Sequence, residues 1–243
     1  SKELAYISLD TCAIKLDPKN PFLWASGYIM PIYNDNRLLL GNSKHRKLIA
    51  EGFHSILSDK NIKFDVVAGT ATAGIAHATS LANLLGTPLI YVRPTPKGHG
   101  MKNQIEGILS TGQRVVVIED LISTGGSALN AINAIREVGG SVEHCLSIFG
   151  YGFRIAAEQF KIAHCQLHQL LNFKELIDQA NKEGVDVGMD ACGECGGDGS
   201  SCATDVTISF GNIDANAGTV EVCMQNSVPV AGVQLEIHDY PDY

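Results

Sequence analysis

The stretch "VVVIEDLISTGGSALNAI", Val115–Ile132, decides how the rest of the chain is read. Four apolar residues, as expected of a central parallel strand buried on both faces, run straight into Glu119-Asp120. A short loop of hydroxyls and glycines follows, and then a helix with apolar residues at Leu129, Ile132, Ile135 and Val138 that stops at Gly139-Gly140. A helix N-terminus offers unpaired N–H groups and partial positive charge, and Gly125-Gly126 let the backbone curl around an anion. The loop holds no Lys and no G-x-G-x-x-G, which sets aside the nucleoside-triphosphate P-loop and the dinucleotide fingerprint. A plain helix cap with solvated carboxylates is the simple alternative. Two carboxylates beside a phosphate cradle would repel the phosphate unless they face another part of the ligand, such as sugar hydroxyls or bound Mg2+. The pattern therefore asks for a sugar phosphate.

Outward from that stretch, strands and helices alternate. Lys44 to Leu57 reads as a helix, Phe64–Ala68 as a strand, and Ile75 to Leu85 as a helix ended by Gly86. "PLIYVR" and "VEHCLSIFG" read as further strands, and "IAAEQF", "IAHCQL" and "FKELIDQANKEG" continue the alternation. The fold class is α/β, a parallel sheet flanked by helices, with ligands expected at the carboxyl ends of its strands. Before about Leu40 the pattern is irregular and broken by Pro18, Pro21 and Pro31, so a small N-terminal hood is expected over roughly residues 1–40.

With 45% hydrophobic and 18% charged residues in 243, the chain can bury one good core plus an appendage. No apolar run nears the roughly 20 residues of a bilayer span, so no membrane partner is expected. "SKELAYISLD" lacks the order of a secretory signal, and without an initiator Met the start reads as processed or incomplete. Charge divides sharply at Gly184. Eighteen basic against 16 acidic residues leave +2 before it, while the remainder carries 10 acidic and no basic residues. That balance argues against nucleic acid as a partner. The expected organisation is a domain over 1–184 and an acidic, Cys-rich, β-like tail over 185–243, fused or truncated.

"DACGECGGDGSSC" in the tail looks like a short repeat of secreted proteins, and the runs "DVTISF", "TVEVCM" and "VQLEI" read as strands between Asn/Gly turns. Its four cysteines permit three disulfide pairings, and no second C-x-x-C follows at zinc-ribbon spacing. Cys12, Cys145 and Cys165 read as buried thiols of a reducing cytoplasm, and His54, His77, His144 and His164 as structural or exposed residues without a cluster partner.

Four segments in order resemble the type I phosphoribosyltransferases, and within them the orotate phosphoribosyltransferase family. These are "PFLWASGYIMPIYNDNR" (21–37), "GTATAGIAHA" (69–78), "YVRPTPKGHGMKNQIEG" (91–107) and the opening stretch. The resemblance implies transfer of a phosphoribosyl group from 5-phosphoribosyl 1-diphosphate (PRPP) to orotate, with Mg2+, in a cytoplasmic homodimer that shares its catalytic loop across the interface. By position it implies that Glu119 and Asp120 hold the ribose hydroxyls, with Mg2+ held mainly through PRPP near them. Leu121, Ile122, Ser123, Thr124, Gly125, Gly126 and Ser127 surround the 5-phosphate and ribose. Thr70, Ala71, Thr72, Ala73 and Gly74 line the diphosphate, which Arg93, Lys97 and His99 also bind. Lys97, His99 and Asp120 are the catalytic residues, and Ser123, Ser26 and Gly27 face orotate. Ala25, Ile29, Met30, Ala73, Pro94 and Pro96 depart from the family pattern. Those departures keep two alternatives open: a purine-type phosphoribosyltransferase and a non-catalytic PRPP-sensing regulator.

Overall fold

The computed structural model describes residues 2–24, 29–95, 104–184, 207–214 and 219–225. Contacts divide the chain into two units, Ser1–Val187 and Gly188–Tyr243.

The first unit opens with helix α1 (Lys2–Asp10), then β1 (Ile14–Leu16), β2 (Phe22–Leu23), β3 (Ile29–Met30) and β4 (Ile32–Asn34). These short strands form two antiparallel pairs, β1 with β4 and β2 with β3. A 3-10 helix over Asn36–Gly41 leads into α2 (Ser43–Asp59), whose start is capped by the Asn42 side chain. Next come β5 (Val66–Thr70), α3 (Ala73–Leu85), β6 (Leu89–Val92), β7 (Ile105–Glu106) and β8 (Arg114–Ile122). The unit closes with α4 (Gly126–Glu137), β9 (Ser141–Gly150), α5 (Arg154–Ile162), β10 (Gln166–Asn172) and α6 (Phe173–Lys182). In the second unit β11 (Thr207–Asp214) pairs antiparallel with β12 (Thr219–Gln225).

The main sheet runs β10-β9-β8-β5-β6-β7. Its first five strands are parallel, and only the short edge strand β7 opposes its neighbour β6. The α/β expectation is met. β5 and most of β8 are buried on both faces, which explains their unbroken apolar runs. One core packs Phe53, Leu81, Ile118 and Phe149 on one side of the sheet, and another packs Val117, Ile132, Ile135 and Phe160 on the other.

Three expectations need correction. Residues before Leu40 are not wholly irregular: α1 is a regular helix, and its Leu4 and Ala5 join the core beside Leu176 of α6. Cys12 is exposed rather than buried, because the chain turns at it with φ of 55° after α1 ends. His144 does have a partner, the His168 ring on the next strand, with nitrogens 3.1 Å apart. Cys145 and Cys165 are buried as expected, and burial pushes both thiols up, Cys165 to about 11.

Candidate active site

The sheet order makes β6, β5 and β8 neighbours, so their carboxyl ends bring three of the sequence segments to one place. Thr70 ends β5, Arg93 follows β6, and Glu119 to Ile122 end β8. The strand continues two residues beyond the expected Asp120, through Leu121 and Ile122, leaving Ser123 to Gly125 as the loop before α4.

Two helix N-termini enter here. Gly125 precedes α4 at φ of 88°, a left-handed conformation that suits glycine, and Thr72 precedes α3. Among the described residues neither helix start is capped by a side chain, whereas Asn42 and Asn172 cap α2 and α6. The first N–H groups of α3 and α4 are therefore left for an anion. The peptide between Ala71 and Thr72 is cis. Gly74 packs against β8 so closely that a Cβ there would lie 2.6 Å from the Ile118 carbonyl oxygen and against the Thr70 hydroxyl.

Glu119 is buried, 5% exposed, and Asp120 is half-buried beside it. One Glu119 carboxylate oxygen accepts the Asp120 N–H at 3.0 Å, and the other accepts the Ser127 hydroxyl at 3.2 Å. Burial, reinforced by the Asp120 carboxyl, pushes Glu119 well above the usual carboxylate range. Thr70 donates its hydroxyl to the Ile118 carbonyl at 3.2 Å, tying β5 to β8 beneath this pair. The plain cap-and-solvent reading of the acidic pair does not hold for Glu119, which lies inside the fold.

Arg93 sits at the root of the basic loop. Its backbone N–H donates to Gln104 at 2.9 Å, the Gln104 side chain returns a bond to the Arg93 carbonyl at 2.8 Å, and its guanidinium lies 3.8 Å from Glu106. Lys97 and His99, together with Ser26 and Gly27, fall outside the described residues. Among the described residues no group of three or more His, Cys, Asp or Glu could enclose a metal ion. The carboxylates of Glu119 and Asp120 are hard oxygen donors, and Mg2+ is commonly held by one or two carboxylates plus ligand phosphates rather than by a protein cage. The donor set fits that mode. A cavity of about 700 Å³ lined by Arg136, Glu143, Lys161 and His164 lies at the amino ends of β9 and β10, away from these helix starts.

Sequence patterns missed a buried polar layer under the acidic pair. Asn36, fully buried, donates its side-chain N–H to the Asp120 carbonyl at 2.8 Å. His77 on α3 is 1% exposed with neither ring nitrogen partnered among the described residues, and its pKa falls to about 4 through burial, opposed by the charge of Asp120. Ser147 lies directly across from Glu119 on β9, buried, with its hydroxyl unpartnered. Asn36 lay inside a quoted segment, but a link across 84 positions has no local signal.

Comparison with known proteins places residues 39–183 in the family described as "Phosphoribosyl transferase domain". Orotate phosphoribosyltransferase of Staphylococcus saprophyticus is 47% identical over 184 residues, covering 76% of this chain and 91% of its own. That of Listeria monocytogenes is 47% identical over 189 residues, 78% of this chain and 90% of its own. The crystal structure of orotate phosphoribosyltransferase from Aeropyrum pernix superposes with a TM-score of 0.66 at 30% identity, covering 74% of this chain and 98% of that one. The Mycobacterium tuberculosis enzyme in complex with PRPP gives 0.57 at 26% identity over 72% of this chain and 97% of that one.

Proposed function

Because the chain belongs to the orotate phosphoribosyltransferase family, we propose that it transfers the 5-phosphoribosyl group of PRPP to orotate, giving orotidine 5′-monophosphate and diphosphate for pyrimidine synthesis. The observation that carries this reading is the convergence of two uncapped helix starts and a carboxylate pair at adjacent strand ends. That is an anion site at each end of a sugar site, the charge layout of PRPP.

The N–H groups of α4 with Ser123 to Ser127 take the 5-phosphate, and Glu119 and Asp120 face the ribose hydroxyls. Thr70 to Gly74, at the start of α3, takes the diphosphate. Breaking the bond at C1 builds positive charge on the sugar and negative charge on the departing diphosphate. Arg93, Lys97 and His99 stabilise the latter, and cations so placed commonly contribute about a hundredfold each. Glu119 and Asp120 would help hold Mg2+ bound mainly through PRPP, and it would supply further charge neutralisation there. Ser123, with Ser26 and Gly27, orients orotate. Arg93 and Gln104 bracket the loop that carries Lys97 and His99, whose further role is to keep water from the activated sugar. The working unit is a homodimer sharing that loop, in the cytoplasm, where the unpaired thiols of Cys145 and Cys165 suit a reducing medium.

The test is to incubate the protein with PRPP and Mg2+ and with orotate, adenine or hypoxanthine in turn. Nucleotide and diphosphate should form with orotate. Product from a purine alone overturns the acceptor assignment, and tight PRPP binding with no product from any base favours a sensor.

A further inference from the structure

The buried polar layer beneath Glu119-Asp120 has no part in the reading above, and Asn36 is its one member with a direct bond to the pair. Asn36 opens the 3-10 helix, outside the parallel sheet, and is 0% exposed. Its side-chain amide donates to the Asp120 main-chain carbonyl at 2.8 Å, while its own carbonyl oxygen, equally buried, has no partner among the described residues. A half-satisfied buried amide is costly, since an unpaired buried acceptor loses its hydration without compensation. An apolar residue of the same size would remove that orphan oxygen but strip the Asp120 carbonyl of its donor, so the two costs roughly offset and stability alone gives little reason for Asn here. What Asn supplies, and an apolar residue cannot, is a donor fixed to the main-chain carbonyl of Asp120, just after the two carboxylates.

That backbone is where direction matters. The Asp120 N–H is already held by the Glu119 carboxylate at 3.0 Å. With Asn36 on the carbonyl, both polar groups of the Asp120 main chain are fixed, one from inside the pair and one from the N-terminal region. The next residue, Arg37, is in turn locked to Asp35 by a two-point ion pair of 2.6 and 2.9 Å, which holds the turn that presents Asn36. We propose that Asn36 is a positioning residue: through the Asp120 carbonyl it sets the aim of the carboxylate pair toward the ribose, and it ties that aim to the N-terminal region. The inference rests on the phosphoribosyl-transfer reading of the same site.

The test compares the parent with Asn36→Leu and Asn36→Ala in the full chain, measuring thermal unfolding together with kcat and KM for PRPP and for orotate. Parent turnover checks the underlying reading separately; the proposal concerns only the ratio of variant to parent. Asn36→Leu keeps the volume and exchanges one orphan acceptor, the Asn36 side-chain oxygen, for another, the Asp120 carbonyl, so its unfolding temperature should stay within a few degrees of the parent's. Its kcat/KM for PRPP should fall about tenfold, carried mainly by kcat, because misaimed carboxylates cost more in the transition state than in binding. Asn36→Ala should show the same kinetic loss. Folded variants with kcat/KM within twofold of the parent overturn the proposal. So does a large fall in unfolding temperature for Asn36→Leu, which would make Asn36 a purely structural part of the N-terminal region.

Discussion

Gly74→Ala sets two effects of opposite sign against each other. Gly74 is the second residue of α3, and replacing Gly by Ala within a helix ordinarily adds about 1 kcal/mol. Here the new methyl would lie 2.6 Å from the Ile118 carbonyl oxygen, with the Thr70 hydroxyl closer still. Ile118 belongs to a strand hydrogen-bonded on both sides, so its carbonyl has little room to retreat. Overpacking costs about 1–3 kcal/mol, and a contact this short against a strand carbonyl belongs at the upper end, so it outweighs the helical gain and leaves a net loss of about 2 kcal/mol. For a domain of this size that lowers Tm by about 4–8 °C. The displaced atoms lie next to Glu119 and Thr70, so KM for PRPP should also rise. Gly126→Ala is the control: it too opens a helix, but its Cβ meets nothing within 4 Å. Differential scanning calorimetry of the two variants decides the sign. A Gly74→Ala protein as stable as Gly126→Ala would refute the close packing of α3 on β8.

Ser127→Ala removes the hydroxyl that meets Glu119 at 3.2 Å. Steady-state kinetics should show kcat/KM for PRPP falling about three- to tenfold with Tm unchanged, as befits one hydrogen bond at an exposed helix start. His77 makes stability depend on pH. Its folded pKa, about 4, lies below the ordinary 6.5, so above pH 6.5 neither folded nor unfolded state carries the proton and stability is full. As pH falls from 6.5 toward 4 the unfolded state gains the proton first, and stability drops by about 2 kcal/mol between pH 7 and 5. His77→Phe should flatten that part of a urea-denaturation pH series; an unchanged slope would place the dependence elsewhere, for instance on His168, also lowered to about 4.

The centre of the fold was legible because β5 and β8 are buried on both faces, and such strands have one-sided composition whatever their neighbours. The loop between β8 and α4 was legible for a similar reason: strand, glycine turn and helix start all fall within the 18 residues Val115–Ile132. The N-terminal region was not. Its strands hold two or three residues each, too few for a period, and α1 has only Leu4, Ala5 and Ser8 buried, a weak stripe. Features made by register were invisible for another reason. His144 meets His168, and Ser147 stands opposite Glu119, only because β9 lies between β10 and β8. Asn36 reaches Asp120 across 84 positions, and nothing local in "NDNR" announces that bond.

The measurement that bears most directly on the carboxylate pair and its ligand is the ultraviolet absorbance of orotate, followed after mixing with PRPP and Mg2+, for the parent and for Asp120→Asn side by side. Orotate should be consumed by the parent, and about a hundredfold more slowly by the variant, since a charge facing the reacting sugar acts mainly in the transition state. A flat trace for the parent would contradict the acceptor, and equal rates for the two proteins would contradict the role of Asp120.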